Sequence, residues 1–181
     1  MTDDPNLPTR SRLRRRALWA AGLCYVAAAL TVAGLGWVAL NRDGLAQALS
    51  CQANAVIAIS PSAHIWVWLA SLPPALCFIA ALWGLAACFR RIASGRVMVM
   101  ENAIALARTG TLFAFSAVLA IVSRTVAVLA ATLSNPPGER MLTIGFGTPD
   151  MMGLTTGAAF LAMGLVMREA VRLADDNAGF V

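Results

Sequence analysis

The chain has 181 residues, of which 59% are apolar and only 13% are charged, and its mean hydropathy is +0.72. A soluble fold of this size cannot bury so many apolar side chains, and ordinary soluble domains carry about twice this share of charge. These values exclude a soluble globular domain, a disordered chain and a nucleic-acid-binding domain, so no direct contact with nucleic acid is expected. They predict an all-α integral membrane protein, so the lipid bilayer is an expected partner.

Four apolar segments are long enough to cross a bilayer, which requires about 20 helical residues. The predicted spans cover about residues 17–40, 64–89, 109–133 and 149–170. Thr148 is suited to cap the last helix and Pro149 to occupy its first position, while Asp150 is expected at the membrane surface, at the positive end of the helix dipole. We therefore predict one integral membrane domain over residues 1–181, folded as a four-transmembrane-helix bundle.

The arginines predict the orientation of the chain. Eleven of them lie in the N-terminal segment, in the loop between spans two and three and in the C-terminal tail, whereas the other two loops hold only Arg42 and Arg140. Because Arg is enriched in cytoplasmic loops, we expect both termini inside. A chain that is rich in Ala and without Lys is typical of a GC-rich bacterial genome, so the expected location is the bacterial cytoplasmic (inner) membrane.

The stretch between spans two and three is the most patterned part of the chain. Arg90 and Arg91 end span two at the headgroups, and Gly95 can adopt the positive φ that turns the chain. Glu101-Asn102 then opens a helix that is expected to run directly into span three. The tail after Met167 is expected to continue as an exposed helix and to break at 175–177.

Two motifs in these segments resemble a bacterial family of uncharacterised four-span membrane proteins. One is Phe89-Arg90-Arg91-Ile92-Ala93-Ser94-Gly95 followed by Glu101-Asn102, and the other is Leu173-Ala174-Asp175-Asp176-Asn177 ending in Phe180-Val181. The chain departs from the family pattern at Met98 and Val99, where the family usually has Phe and Thr. A Thr at the second position could cap the following helix, which Val99 cannot do.

Members of that family are often encoded beside a small Cro/C1-type helix-turn-helix regulator. The resemblance therefore implies a membrane partner that holds or signals to such a regulator. We expect a non-enzymatic membrane protein whose cytoplasmic loop and C-terminal tail bind a protein partner, with a transcription regulator as the partner that the resemblance implies. The candidate partner-binding residues of the loop are Arg90, Arg91, Gly95, Glu101 and Asn102.

No catalytic, cofactor-binding or metal site is predicted. His64, the single histidine, lies beside two Trp at the outer edge of span two, which is typical of an interfacial belt residue, although a ligand or pH-sensing role is the alternative. None of the nine acidic residues lies in the apolar interior of a predicted span, since Asp150 and Glu169 fall at the two ends of span four, and this argues against ion-coupled transport. The four Cys form no disulfide framework; Cys51, on the oxidising side, is expected to be free, buried or bridged to a second copy.

Arg124 is the one charge in the apolar interior of a predicted span, and a charge at mid-bilayer costs at least about 2.5–3.5 kcal/mol. Pro73 and Pro74 lack N–H groups, so the carbonyls of Leu69 and Ala70 lose their helix donors and become acceptors. Polar residues at a similar depth complete a candidate intramembrane cluster with Arg124: Thr31, Ser71, Ser123, Thr155 and Thr156.

Three interpretations of Arg124 are open. It snorkels to the outer headgroups or Asp150, it lines a pocket for an anionic ligand or lipid, or it belongs to an internal structural network. If Arg124 lines a pocket, the protein has an alternative function, which is that of a small transporter or lipid-binding unit.

Span four carries a stripe of small residues. Gly153 and Gly157 form a GxxxG motif, and Gly164 follows seven residues later on the same side. Such a face lets another helix approach closely. It predicts either packing inside the four-helix bundle or a homodimer through these three glycines.

Overall fold

The computed structural model describes residues 7–53, 61–132 and 144–178, and all regular structure in these ranges is helical. The helices are α1 (Leu7–Leu40), α2 (Arg42–Ala53), α3 (Pro61–Ala93), α4 (Met100–Thr132) and α5 (Thr148–Ala178). Four of them, all but α2, are long and apolar enough to cross a membrane. The predicted all-α four-span membrane protein is therefore confirmed. Arg140, Phe180 and Val181 lie outside the described residues.

The long helices pack in the order α1, α3, α4, α5, with α3 and α4 in the centre of the bundle. The larger apolar cluster joins α1 and α3 to Phe113 of α4. Phe113 also connects its neighbours, because its ring centroid lies 5.4 Å from that of Phe78 on α3 and 5.8 Å from that of Phe160 on α5. Small residues such as Ala21, Ala81 and Ala86 fill much of this cluster, which lets the backbones approach closely.

The three glycines of α5 face α4 of the same chain. A Cβ added at Gly157 would lie 2.6 Å from the backbone N of Ala114, and one added at Gly164 would lie 2.5 Å from the backbone N of Ala107. At Gly153 the nearest atom would be the Cβ of Ala117, at 2.8 Å. The glycines therefore serve packing inside the bundle, the first of the two alternatives given for this stripe. A homodimer through the same glycines would require α4 to move away.

The start of α5 differs from the expectation by one residue. The carbonyl of Gly147 accepts hydrogen bonds from the N–H groups of Asp150 and Met151, at 3.0 and 3.2 Å, so Gly147 rather than Thr148 is the N-cap. The carboxylate of Asp150 accepts the N–H of Gly147 at 2.8 Å, the reciprocal half of a capping box. This bond turns the side chain inward, and Asp150 is only 2% exposed. Asp150 is therefore covered by neighbouring groups of the protein, and its expected level at the membrane surface stays a prediction.

The end of α5 also differs from the expectation. The helix continues through Asp175, Asp176 and Asn177 to Ala178 instead of breaking there. All three polar side chains are exposed, and the Asn177 side chain donates to the carbonyl of Leu173 at 2.9 Å. Low helix propensity costs less than 1 kcal/mol per residue, so three such residues do not stop an established helix.

Side chains of α3 bind the backbone of α1 near the junction with α2. His64 Nε2 lies 2.7 Å from the carbonyl oxygen of Val38, and Trp68 donates its indole N–H to the carbonyl of Leu35 at 3.1 Å. Since a carbonyl can only accept, the Nε2 atom of His64 carries the proton in this contact. Asn41 separates the two helices and caps α2, because its side-chain oxygen accepts the N–H of Gly44 at 2.9 Å.

Candidate functional site

Arg124 of α4 is bound to the first turn of α5. Its NH1 and NH2 atoms donate to the two carboxylate oxygens of Asp150 at 3.1 and 2.9 Å, and NH1 also donates to the carbonyl of Gly145 at 3.3 Å. The Arg124 side chain is 25% exposed and that of Asp150 is 2% exposed. The ion pair is therefore bidentate and mostly removed from solvent, which is the stronger class of charge-assisted contact.

Four of the five hydroxyl groups in the predicted polar cluster have other partners. Ser123 donates to the carbonyl of Ala70, the acceptor that Pro74 leaves without a helix donor. Thr31, Ser71 and Thr155 each donate to a carbonyl three or four residues earlier on their own helix, and Thr156 is exposed. Within the described part of the chain, these groups do not gather around the guanidinium.

The arrangement neutralises Arg124 rather than presenting it to a ligand. Of the three interpretations above, the structure shows the contact with Asp150. The carboxylate contacts both the guanidinium and the N-cap of its own helix, so one side chain fixes the entry of α5 against α4. The signal in the sequence is Asp150 itself, which the sequence offers both as a helix-dipole partner and as a group that Arg124 can reach.

The second candidate site is the loop from Ser94 to Val99, which we call the α3–α4 loop. Gly95 has φ of +87°, as predicted for the turn. The N–H of Arg96 binds the carbonyl of Arg91 at 3.1 Å and the N–H of Gly95 binds that of Ile92 at 3.0 Å. This pair of bonds is a Schellman motif, and it ends α3 with a sharp change of direction.

Asn102 holds the far side of the α3–α4 loop. Its side-chain amide donates to the carbonyls of Arg96 and Val97 at 2.7 and 3.1 Å, and the residue is fully buried. Val99 is the N-cap residue of α4, since its carbonyl accepts the N–H groups of Asn102 and Ala103. Val99 has no side-chain oxygen with which to cap α4, and the side chain of Asn102 instead holds the loop from its buried side. Asn102, predicted to contact a partner, therefore lies under the loop surface.

The other predicted loop residues lie around this core. Arg91 forms an ion pair with Glu101 at 3.7 Å between the end of α3 and the start of α4. Arg90 lies over the ring of Tyr25 on α1, with its guanidinium carbon 5.8 Å from the ring centroid. Both contacts restrain the loop, and Glu101 remains 64% exposed.

Two apolar side chains at the tip of the loop are exposed. Met98 is 60% exposed and Val97 is 38% exposed. In the sequence, Met98 and Val99 stand out only as departures from a family pattern, and no periodicity in a loop of this length indicates which side chain points outward. The structure thus adds an apolar tip to the charged residues that the sequence singled out.

The C-terminal turns of α5 reach the level of this loop. Gly153 packs against Ala117 and Gly164 against Ala107, so α4 and α5 run antiparallel in constant register. Continuing this register places Val171, which is buried, level with the first turn of α4. Arg172 and the residues after it are exposed and extend α5 along the level of the α3–α4 loop.

The described residues contain no group of three His, Cys, Asp or Glu side chains that could hold a metal ion. All four cysteines are free thiols in the structure, and Cys51 is exposed.

Comparison with known proteins gives one match to a family. Residues 46–179 match the family described as "Protein of unknown function (DUF2975)". No curated protein and no solved structure matches the chain. The matched residues include three of the four long helices, the α3–α4 loop and the Arg124–Asp150 pair. The chain is therefore a multi-pass membrane protein that belongs to the DUF2975 family.

Proposed function

We propose that the chain is a non-enzymatic membrane protein whose α3–α4 loop and C-terminal turns of α5 bind a soluble protein partner in the cytoplasm. The observation that carries this proposal is the exposed apolar tip at Val97 and Met98, held in a fixed conformation by the buried side chain of Asn102. A preformed loop loses little conformational entropy on binding.

The surroundings of the tip support a protein surface as the binding partner. Glu101, Arg172 and Asp176 are exposed near the level of the tip, so the apolar centre has charges of both signs around it. An apolar centre with a polar rim is the usual anatomy of a protein interface. A transcription regulator with a helix-turn-helix domain is the partner class that the family resemblance implies. The proposal places the chain in the bacterial inner membrane with both termini inside, as the distribution of Arg indicates.

The test is co-purification in mild detergent from cells that express the tagged chain together with its genomic neighbours. The native chain should retain a soluble partner in a fixed stoichiometry. Val97→Asp combined with Met98→Asp should lower the retained partner at least about tenfold, since a charge in the centre of an interface costs more than 1.4 kcal/mol.

The matched control is Ile144→Asp, because Ile144 is 75% exposed and lies in the segment before α5, at the opposite end of the bundle. This variant should retain the partner in full. Equal retention by both variants would remove the loop from the binding surface. Purification of the native chain with lipid or a small solute, and without any soluble protein, would favour the transporter or lipid-binding alternative instead.

A further inference from the structure

A groove of about 530 Å³ runs along an exposed face in the N-terminal part of α1. Among the residues whose side chains the structure describes, the groove is lined by Ser11, Arg14, Arg15, Leu18, Trp19 and Gly22. They recur at intervals of three and four, so they form one face of the helix. This face lies before residue 46, where the family match begins, and neither the loop nor the Arg124–Asp150 pair takes part in it.

The groove is charged at one end and apolar at the other. Arg14 and Arg15 are exposed, and no ion pair joins them to an acidic side chain in the described ranges. Leu18 and Trp19 are 48% and 67% exposed, and a Cβ added at Gly22 would meet no atom within 4 Å. Open space beside Gly22 therefore continues the apolar end of the groove.

The position of the groove relative to the bilayer matches this polarity. Uncharged sequence begins at Ala17, which puts Arg14 and Arg15 at the headgroup level and Gly22 about 12 Å deeper than Arg14. Trp19 lies between them, in the layer that Trp prefers. The groove thus presents two guanidinium groups to the phosphate layer and an apolar channel to the upper part of an acyl chain.

We propose that this groove is a binding site for one anionic phospholipid of the leaflet that faces the N-terminus. The two guanidinium groups bind its phosphate, Trp19 packs against the glycerol region, and one acyl chain lies along Leu18 and past Gly22. A zwitterionic lipid binds more weakly, because its headgroup ammonium is repelled by the same arginines. Each basic side chain at an anionic surface is worth about a fivefold preference.

The test is quenching of Trp19 fluorescence by brominated lipid in nanodiscs of phosphatidylcholine. The Trp19 signal is the difference between the native chain and Trp19→Phe, so the remaining tryptophans cancel. Brominated phosphatidylglycerol should quench this signal at a mole fraction about fivefold or more below that required for brominated phosphatidylcholine. Equal quenching by the two lipids would overturn the proposal.

Matched variants separate a defined site from the general positive charge of the N-terminal segment. Arg14→Gln with Arg15→Gln should abolish the preference, whereas Arg12→Gln with Arg16→Gln removes the same charge from residues outside the groove and should preserve it. Gly22→Leu should weaken quenching by filling the groove, and Gly34→Leu, at another open position of α1, should leave it unchanged. An equal loss in both arginine pairs, or no effect of Gly22→Leu, would overturn the site.

Discussion

The guanidinium of Arg124 and the carboxylate of Asp150 join α4 to α5 through two hydrogen bonds of 3.1 and 2.9 Å. The same carboxylate accepts the N–H of Gly147 at 2.8 Å. A charge that the sequence places inside a span is thereby neutralised at the point where the last helix begins. The pair makes the stability of the α4–α5 junction depend on electrostatics.

Removing either member of this pair should destabilise the bundle. Arg124→Leu leaves a buried carboxylate with only its N-cap bond, and we expect a loss of about 3 kcal/mol in the free energy of unfolding, near the lower end for buried pairs because Arg124 is 25% exposed. Asp150→Asn should also destabilise. The double variant should cost at least about 1 kcal/mol less than the sum of the two. Unfolding in mixed micelles measures all three, and strict additivity would mean that the pair is not coupled.

The contact between α4 and α5 should tolerate no side chain at Gly157. An added Cβ would lie 2.6 Å from the backbone N of Ala114, and neither backbone can yield without separating the helices. We expect Gly157→Ala to cost about 1–3 kcal/mol of unfolding free energy. Gly34→Ala is the control, because its Cβ would meet no atom within 4 Å, and it should be neutral or stabilising. A neutral Gly157→Ala would contradict the helix packing described above.

Gly95 should be sensitive for a different reason. A Cβ there would meet no atom within 4 Å, but φ is +87°, so the cost of substitution lies in the backbone itself. Gly95→Val should destabilise by about 1–2 kcal/mol and Gly95→Asn by less, since Asn tolerates positive φ. Thermal unfolding of the purified variants distinguishes the two. If Val and Asn have the same effect, backbone strain is not the cause.

Asn102 should control the order of the α3–α4 loop. Asn102→Ala removes the donors to the carbonyls of Arg96 and Val97, at a cost of about 1–3 kcal/mol. Asn102→Asp should be worse, because it places a carboxylate oxygen against those carbonyls. Hydrogen exchange of residues 96–99 should accelerate in both variants, with exchange in the centre of α4 unchanged as the internal control. Native exchange rates in the loop would show that Asn102 does not hold it.

The orientation is predicted from charge alone and has a direct test. Alkaline phosphatase fused at Ser50 or Asn135 should be active, and fusions at Ser94 and at the C-terminus should be inactive, since only the translocated enzyme folds. The eleven arginines on one side carry this expectation. A second reporter that is active only in the cytoplasm should give the opposite pattern. An active phosphatase at Ser94 would reverse the topology.

Several features could be predicted from the sequence because they depend on one segment at a time. The lengths of the apolar runs gave four spans, since a helix must cover the bilayer thickness whatever its neighbours are. Gly95 was identifiable because few other residues adopt a positive φ. Pro74 implied a free carbonyl at Ala70, because proline lacks the N–H that would bind it within the helix. That carbonyl accepts the hydroxyl of Ser123 across the α3–α4 interface.

Other features required the tertiary structure. Depth in the membrane follows from position along a helix, but the direction in which a side chain points depends on how each helix is rotated and on which helix lies next to it. Depth therefore grouped Thr31, Ser71 and Thr155 with Arg124, whereas each of those hydroxyls donates to a carbonyl of its own helix and not toward the guanidinium. Helix packing buries Asp150 beside Arg124 and places Asn102 under its loop.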